Sequence, residues 1–183
     1  MSTRKLAVVT GGAGFIGSHM VDLLLDEGYR VHVLDNLVGG RLENLAHRKG
    51  NPHLAVETRD ILDLAPGDVL FQGAEFVFHF AGIGDIVPSI ERPVDYLSTN
   101  VLGTVKVLET ARHAQVHKLV YAASSSCYGL ADVPTKEDAP IRPEHPYALS
   151  KYMGEEAVLH WGKVYQLPVN SIRIFNAYGT RSK

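Results

Sequence analysis

The chain has 183 residues, 45% hydrophobic and 21% charged, an ordinary globular composition long enough to bury a sizeable core as one domain over 1–183. Its net charge of −2, from 18 basic and 20 acidic residues with no lysine/arginine block, leaves no nucleic-acid or polybasic membrane footprint. One cysteine, Cys127, rules out an intrachain disulfide and suits a reducing cytoplasm, and no apolar run reaches the length of a signal-peptide core or a membrane span.

Strands and helices alternate along the chain. KLAVVT (5–10) is short, apolar and β-branched, as a buried parallel strand requires. FIGSHMVDLLLDEG (15–28) sets Ile16, Met20, Leu23, Leu24 and Glu27 at helical spacing, and Gly28 supplies a stop. RVHVLD (30–35), HLAVETRD (53–60) and EFVFHFA (75–81) read as the second, third and fourth strands. GDIVPSIERP (84–93) fits either a substrate-side loop or the run-in to a helix. Residues 98–115 form a long helix with Val101, Leu102, Val105, Leu108 and Thr110–Ala111 on its apolar side. KLVYAAS (118–124) is the fifth strand, a polar proline-bearing loop covers 130–146, a helix spans 147–166, and PVNSIRIFN (168–176) is the sixth strand. Six strands with helical crossovers predict an α/β fold, a doubly wound parallel (Rossmann) sheet of order 3-2-1-4-5-6.

Between the first strand and its helix lie Gly11, Gly12, Gly14 and Gly17. Glycine costs about 1 kcal/mol against alanine inside a helix, so something must offset it. The pattern G-x-G-x-x-G after a strand and at the opening of a helix suits a pyrophosphate cradle, in which the backbone approaches the phosphates and the helix N-terminus presents free N–H groups. A tight ligand-free β–α turn would use the same residues. Asp35 argues for the ligand: it ends the second strand about 20 residues after the motif, where a carboxylate bonds ribose hydroxyls and repels a 2′-phosphate, favouring NAD over NADP.

Tyr147 and Lys151 are four residues apart on a predicted helix, hence on one face. A free phenol is ionised to about one part in a thousand at pH 7, and a nearby ammonium lowers a phenol's pKa by roughly 1–3 units. Such a pair can remove a proton from an alcohol, although neighbouring tyrosines and lysines also occur on plain surfaces. SSSCYG (124–129) follows the fifth strand, where open sheets hold ligands, so its hydroxyls either bond a substrate alcohol or cap their own loop.

Taken in order, TGGAGFIGSH, LDNL, RDI, HFAG, STNVLGT, SSSCYG, YALSK and RIFNAYG cover essentially the whole chain. The chain resembles the extended short-chain dehydrogenases/reductases, specifically the NAD-dependent nucleotide-sugar epimerases and dehydratases, and is most similar to the UDP-glucose 4-epimerases. The resemblance implies that Gly11, Gly14 and Gly17, with Phe15 and Ile16, hold the NAD phosphates. It implies that Asp35 and Asn36 hold the adenosine ribose, Asp60 and Ile61 the adenine, and that Phe80, Ala81, Gly82 and Asn100 lie along the nucleotide. Ser124, Tyr147 and Lys151 would be the catalytic residues, with Tyr147 the base and Lys151 also a ligand of the nicotinamide ribose. Phe175 would pack by the nicotinamide, while Ser124, Ser125, Tyr147 and Asn176 would meet the sugar nucleotide, a UDP-sugar being favoured. The implied reaction is epimerisation at C4 through a transient 4-keto sugar.

The chain departs from the family in places. Ser125 and Ser126 stand where the 4,6-dehydratases carry an Asp-Glu pair, which counts against dehydration. Gly84 replaces a lysine, and Ile174 an aromatic beside Phe175. The family continues past RIFNAYG into a smaller substrate-binding lobe, so the chain is expected to be a fragment. A homodimer through helices 98–115 and 147–166 is implied. Another reaction of the same family, such as decarboxylation or epimerisation at a different carbon, and a non-catalytic NAD-binding module are the alternatives. No metal is expected: His113 and His117 lack the glutamate of a zinc helix, and His79 reads as a packed strand residue. Cys127 has no paired histidine motif for a nucleophile, and Trp161 reads as core or interface.

Overall fold

The computed structural model describes residues 4–182; residues 1–3 and 183, part of the expected 1–183 domain, lie outside the described residues. The elements run β1 (Leu6–Thr10), α1 (Phe15–Asp26), β2 (Arg30–Asp35), β3 (Leu54–Thr58), β4 (Ala74–His79), α2 (Val87–Glu91), α3 (Pro93–Leu97), α4 (Thr104–His113), β5 (Lys118–Ser124), α5 (Pro146–Tyr165) and β6 (Val169–Ile174). A π-helical turn, Ser98–Gly103, joins α3 to α4.

β1 is buried at every position because helices cover both faces of the sheet. Its side chains alternate. Ala7 and Val9 join Val21, Leu24, Val31 and Val33 under α1, while Leu6 and Val8 join Phe71, Val77, Leu108, Leu119 and Val158 under α4 and α5. The six strands are parallel, in the order β3-β2-β1-β4-β5-β6. The direction of winding reverses between β1 and β4, so the loops leaving those two strands part and open a crevice at the carboxyl ends.

The fold is the expected doubly wound sheet, with differences in detail. In α1 the buried residues are Gly17, Ser18, Val21, Leu24 and Leu25, and Leu23 is 54% exposed. The face is rotated from the expected Ile16–Met20–Leu23 stripe because the small Gly17 and Ser18 sit innermost, against the glycine turn. The expected helix 98–115 begins as the π turn and ends at His113, since Gln115 takes φ +53°. Its buried side is Asn100, Gly103, Thr104, Val107, Leu108, Thr110 and Ala111, and Leu102 is 52% exposed. Gly103 is held to glycine by Ile61, whose Cδ1 would lie 2.5 Å from a Cβ there. Segment 84–93 contains α2, so it is the run-in to helices, and it also borders the crevice. β3, β4 and β6 stop short of their expected ends because the chain leaves the sheet to build the crevice walls.

Candidate functional site

The crevice is an open cleft of about 920 Å³, within the range of a small-molecule or cofactor site. Its floor is the turn from β1 into α1. Gly11 has φ +70°, and a Cβ there would stand 2.6 Å from Ala81 N. A Cβ at Gly17 would stand 2.1 Å from Gly11 O. Only glycine fits either place without moving backbone. The N-cap of α1 is Gly14, which has no side chain to cap the helix, and the first turn carries no acidic residue. Ser18 N–H is the first to reach back, onto Gly14 O at 3.1 Å. The N–H groups of Phe15, Ile16 and Gly17 therefore stand uncapped at the positive end of the helix, beside the cleft. An anion such as a pyrophosphate completes that arrangement.

At the end of β2, Asp35 is 7% exposed and accepts from Ala13 N and Leu37 N, both at 2.9 Å. Its carboxylate thus ties the glycine turn to the strand that should hold a ribose. Asn36 Nδ2 donates to Asp60 Oδ2 at 2.7 Å, and Leu62 N donates to Asp60 Oδ1 at 2.8 Å. These contacts shape one end of the cleft around Asp60 and Ile61, while Phe80, Ala81 and Gly82 form the wall opposite. The residues present fit a dinucleotide with a free 2′-hydroxyl: an uncapped helix end, a rigid carboxylate and an apolar slot follow one another along the cleft.

The other end of the cleft carries hydroxyls. Tyr147, on the first turn of α5, donates to Ser124 Oγ at 3.4 Å. Ser126 N also donates to Ser124 Oγ, at 3.2 Å, so the Ser124 O–H is left to donate to a third oxygen. One turn along α5, Lys151 is 7% exposed, and burial pushes its ammonium down to about 8, while Tyr147 and Glu155 pull the other way. Its Nζ lies 4.4 Å from the ring centroid of Tyr121. Ser125, Phe175 and Asn176 line the same end, with Phe175 stacked on Tyr128 at 6.3 Å.

All the nominated residues border the cleft except Asn100, which is buried behind the wall. Its Oδ1 accepts from Ile83 N at 2.8 Å, and its Nδ2 donates to Ile83 O and Ser150 Oγ. A Cβ at Gly82 would press within 2.9 Å of that Oδ1. Asn100 is thus the clasp that holds the loop after β4 against α5.

Three contributors were not foreseen. Tyr96 is buried, donates to Gly84 O, and sets its ring edge-on to Tyr147 at 6.3 Å. His145 caps α5 by accepting from Ala148 N at 3.1 Å and stacks on Tyr147; Pro146 at the first helical position was its only sequence signal. Arg59 lines the cleft beside Asp60 and Ile61, but its guanidinium is forked onto Asp68 at 2.7 and 3.0 Å.

His79 is fully buried, with Nδ1 2.7 Å from Thr10 Oγ1 and Nε2 3.0 Å from Thr104 Oγ1. Burial first, and then Lys151, push it down to about 3, so it is a neutral packed residue. Burial pushes the Cys127 thiol up, away from a nucleophile. Trp161 packs on the core edge and donates to Glu109 at 2.7 Å. Among the described residues no three metal-ligating side chains cluster, and no helix is long and apolar enough to cross a membrane.

Residues 7–183 match the NAD dependent epimerase/dehydratase family. The chain belongs to that family. A putative UDP-glucose 4-epimerase of Methanocaldococcus jannaschii is 39% identical over 96% of this epimerase/dehydratase chain and 57% of its own length. The UDP-N-acetylglucosamine 4-epimerase of Methanobrevibacter ruminantium M1, solved with UDP-N-acetylmuramic acid, superposes with a TM-score of 0.92 at 32% identity, over 100% of this chain and 58% of that one. The UDP-glucuronic acid 4-epimerase of Bacillus cereus, solved with UDP-glucuronic acid and NAD, gives 0.91 at 29% identity, over 97% and 59%. The chain spans about half the length of the curated relatives it matches.

Proposed function

We propose that this chain is the NAD-binding, catalytic part of a nucleotide-sugar epimerase that inverts C4 of a UDP-hexose through a 4-keto intermediate. The observation that carries the reading is the Tyr147 hydroxyl, 3.4 Å from Ser124 Oγ, in the same cleft as the uncapped glycine turn.

NAD, when bound, supplies the two-electron oxidation of the sugar carbinol and its reversal. Gly11, Gly14, Phe15, Ile16 and Gly17 take its phosphates, Asp35 and Asn36 the adenosine ribose, and Asp60 and Ile61 the adenine. Arg59, already committed to Asp68, offers no free guanidinium for a 2′-phosphate, which supports NAD over NADP. Phe80, Ala81 and Gly82 wall the nucleotide in, Asn100 supports that wall from behind, and Phe175 covers the nicotinamide side. Tyr147 removes the 4-hydroxyl proton and later returns it, Ser124 donates to the oxygen as charge develops, and Lys151 steadies the phenolate. Ser125 and Asn176 orient the sugar. Ser125 and Ser126 hold no proton-transfer group for eliminating water, which supports epimerisation over dehydration.

The exposed apolar residues Leu102, Leu149 and Met153 support a homodimer through helices 98–115 and 147–166. The buried, unpaired Cys127 supports a cytoplasmic setting.

The test is Tyr147→Phe in the full-length protein against a panel of UDP- and TDP-sugars. Turnover should fall by about 10²–10⁴-fold with NAD affinity unchanged. A wild-type rate would sink the assignment, and product NMR identifies the inverted carbon.

A further inference from the structure

The ammonium of Lys151 is nearly enclosed, yet it makes no hydrogen bond to any described residue. What it touches instead is a ring: Nζ stands 4.4 Å from the centroid of Tyr121, within the range of a cation over an aromatic face. That ring belongs to β5, is 0% exposed, and cannot turn away. Its hydroxyl donates to Lys151 O at 3.3 Å, and a Cβ at Gly154 would stand 2.5 Å from it and 2.7 Å from Asn100 O. The glycine inside α5, unfavourable to a helix by itself, is therefore the slot that admits Tyr121 under the catalytic turn. Beside the ring, tilted against it, lies His79, at 5.5 Å between centroids.

We infer that Tyr121 is the positioning residue of Lys151: its ring face carries the buried ammonium and aims it into the cleft towards Tyr147. This deepens the proposed function and rests on its assignment of Lys151 as the partner of Tyr147. The charged and titratable groups around Nζ are few. Tyr147 and Glu155 share its helix, and His79 faces it from β4 in neutral form. None of them makes a hydrogen bond to Nζ, and the face of the Tyr121 ring, 4.4 Å away, is a fixed attraction that keeps the lysine charged and in place.

The test keeps the shape of the ring and drains its negative face. Tyr121→Phe is compared with Tyr121→4-fluorophenylalanine and Tyr121→3,4,5-trifluorophenylalanine in the full-length protein stripped of cofactor. The titration of Lys151 is followed by NMR of its ε-carbon, and circular dichroism checks each fold. The midpoint should fall stepwise with fluorination, by about 1 pH unit across the series. A flat series overturns the proposal. As a coarser variant that does not depend on the modified residues, Tyr121→Leu should lower the midpoint too, and a rise or no change counts against it. A packing role alone predicts no dependence on ring fluorination. Because the titration is read in the free protein, a failure of the epimerase reading, seen as no product from any sugar nucleotide, is a separate result.

Discussion

Single atoms decide the two ends of the cleft. At Gly17 a methyl group would sit 2.1 Å from Gly11 O, so backbone must move to admit it. Gly17→Ala should cost about 1–3 kcal/mol in urea unfolding and weaken NAD binding at least tenfold by calorimetry, because the same shift spoils the N–H cradle; unchanged affinity would detach this turn from the cofactor. His79 acts on stability rather than on ligand. Its folded form is held to about 3, whereas the unfolded chain titrates it near 6.5. The unfolded state therefore binds the extra proton first, and stability is complete above about pH 6.5 and declines as pH falls towards 3. The slope from this residue approaches about 1.4 kcal/mol per pH unit. His79→Gln should flatten the acid limb of a stability–pH curve by up to one proton; an unaltered slope would mean that the imidazole is protonated in the native state.

At the scale of the element, α5 is the piece on which the site depends. It is capped by His145, opened by Pro146, pinned to the clasp of Asn100 through Ser150, and tied to β6 by the ion pair of Glu155 with Arg173 at 3.0 Å. Tyr147 and Lys151 thus project from a helix anchored along its length. Its one apparent weakness, Gly154, is a fit to Tyr121. Helix propensity alone says that Gly154→Ala gains about 1 kcal/mol, whereas overpacking against Tyr121 Oη and Asn100 O loses about 1–3 kcal/mol. The variant should be net destabilised in denaturant melts, and less so when combined with Tyr121→Phe, as a double-mutant cycle would show. A stabilised Gly154→Ala would refute the tight slot. The strands were read well from the sequence because each is a short β-branched, apolar stretch bounded by turn residues, although only β1 is buried at every position and the edge strands β3 and β6 are partly exposed. The helix faces were read less well, since Leu23 and Leu102 look like core residues by spacing and lie outside, displaced by glycine and small polar residues nearer the turn.

For the whole molecule, the question is what covers the exposed side of the π turn Ser98–Gly103 and of α5. Leu102, Leu149 and Met153 are large, apolar and exposed there. A homodimer through this side should appear as twice the chain mass in light scattering at micromolar protein, and Leu149→Glu combined with Met153→Glu should return it to the monomer. A monomeric mass for the unmodified protein would leave this surface to another use.

The sequence alone placed the strands, the glycine turn after the first, Asp35 at the end of the second, and Tyr147 and Lys151 one turn apart, because each rests on local chemistry: period, turn geometry or spacing along one helix; the sheet order followed from the alternation of strands and helices, and Ser124 was nominated only by the likeness to the family. Only the tertiary structure decided that Asn100 serves the wall from behind, that Arg59 is already taken by Asp68, and that Tyr121 lies under Lys151. Those facts depend on contacts between residues 9 to 50 positions apart, and nothing in a linear pattern records which buried polar group will find which partner.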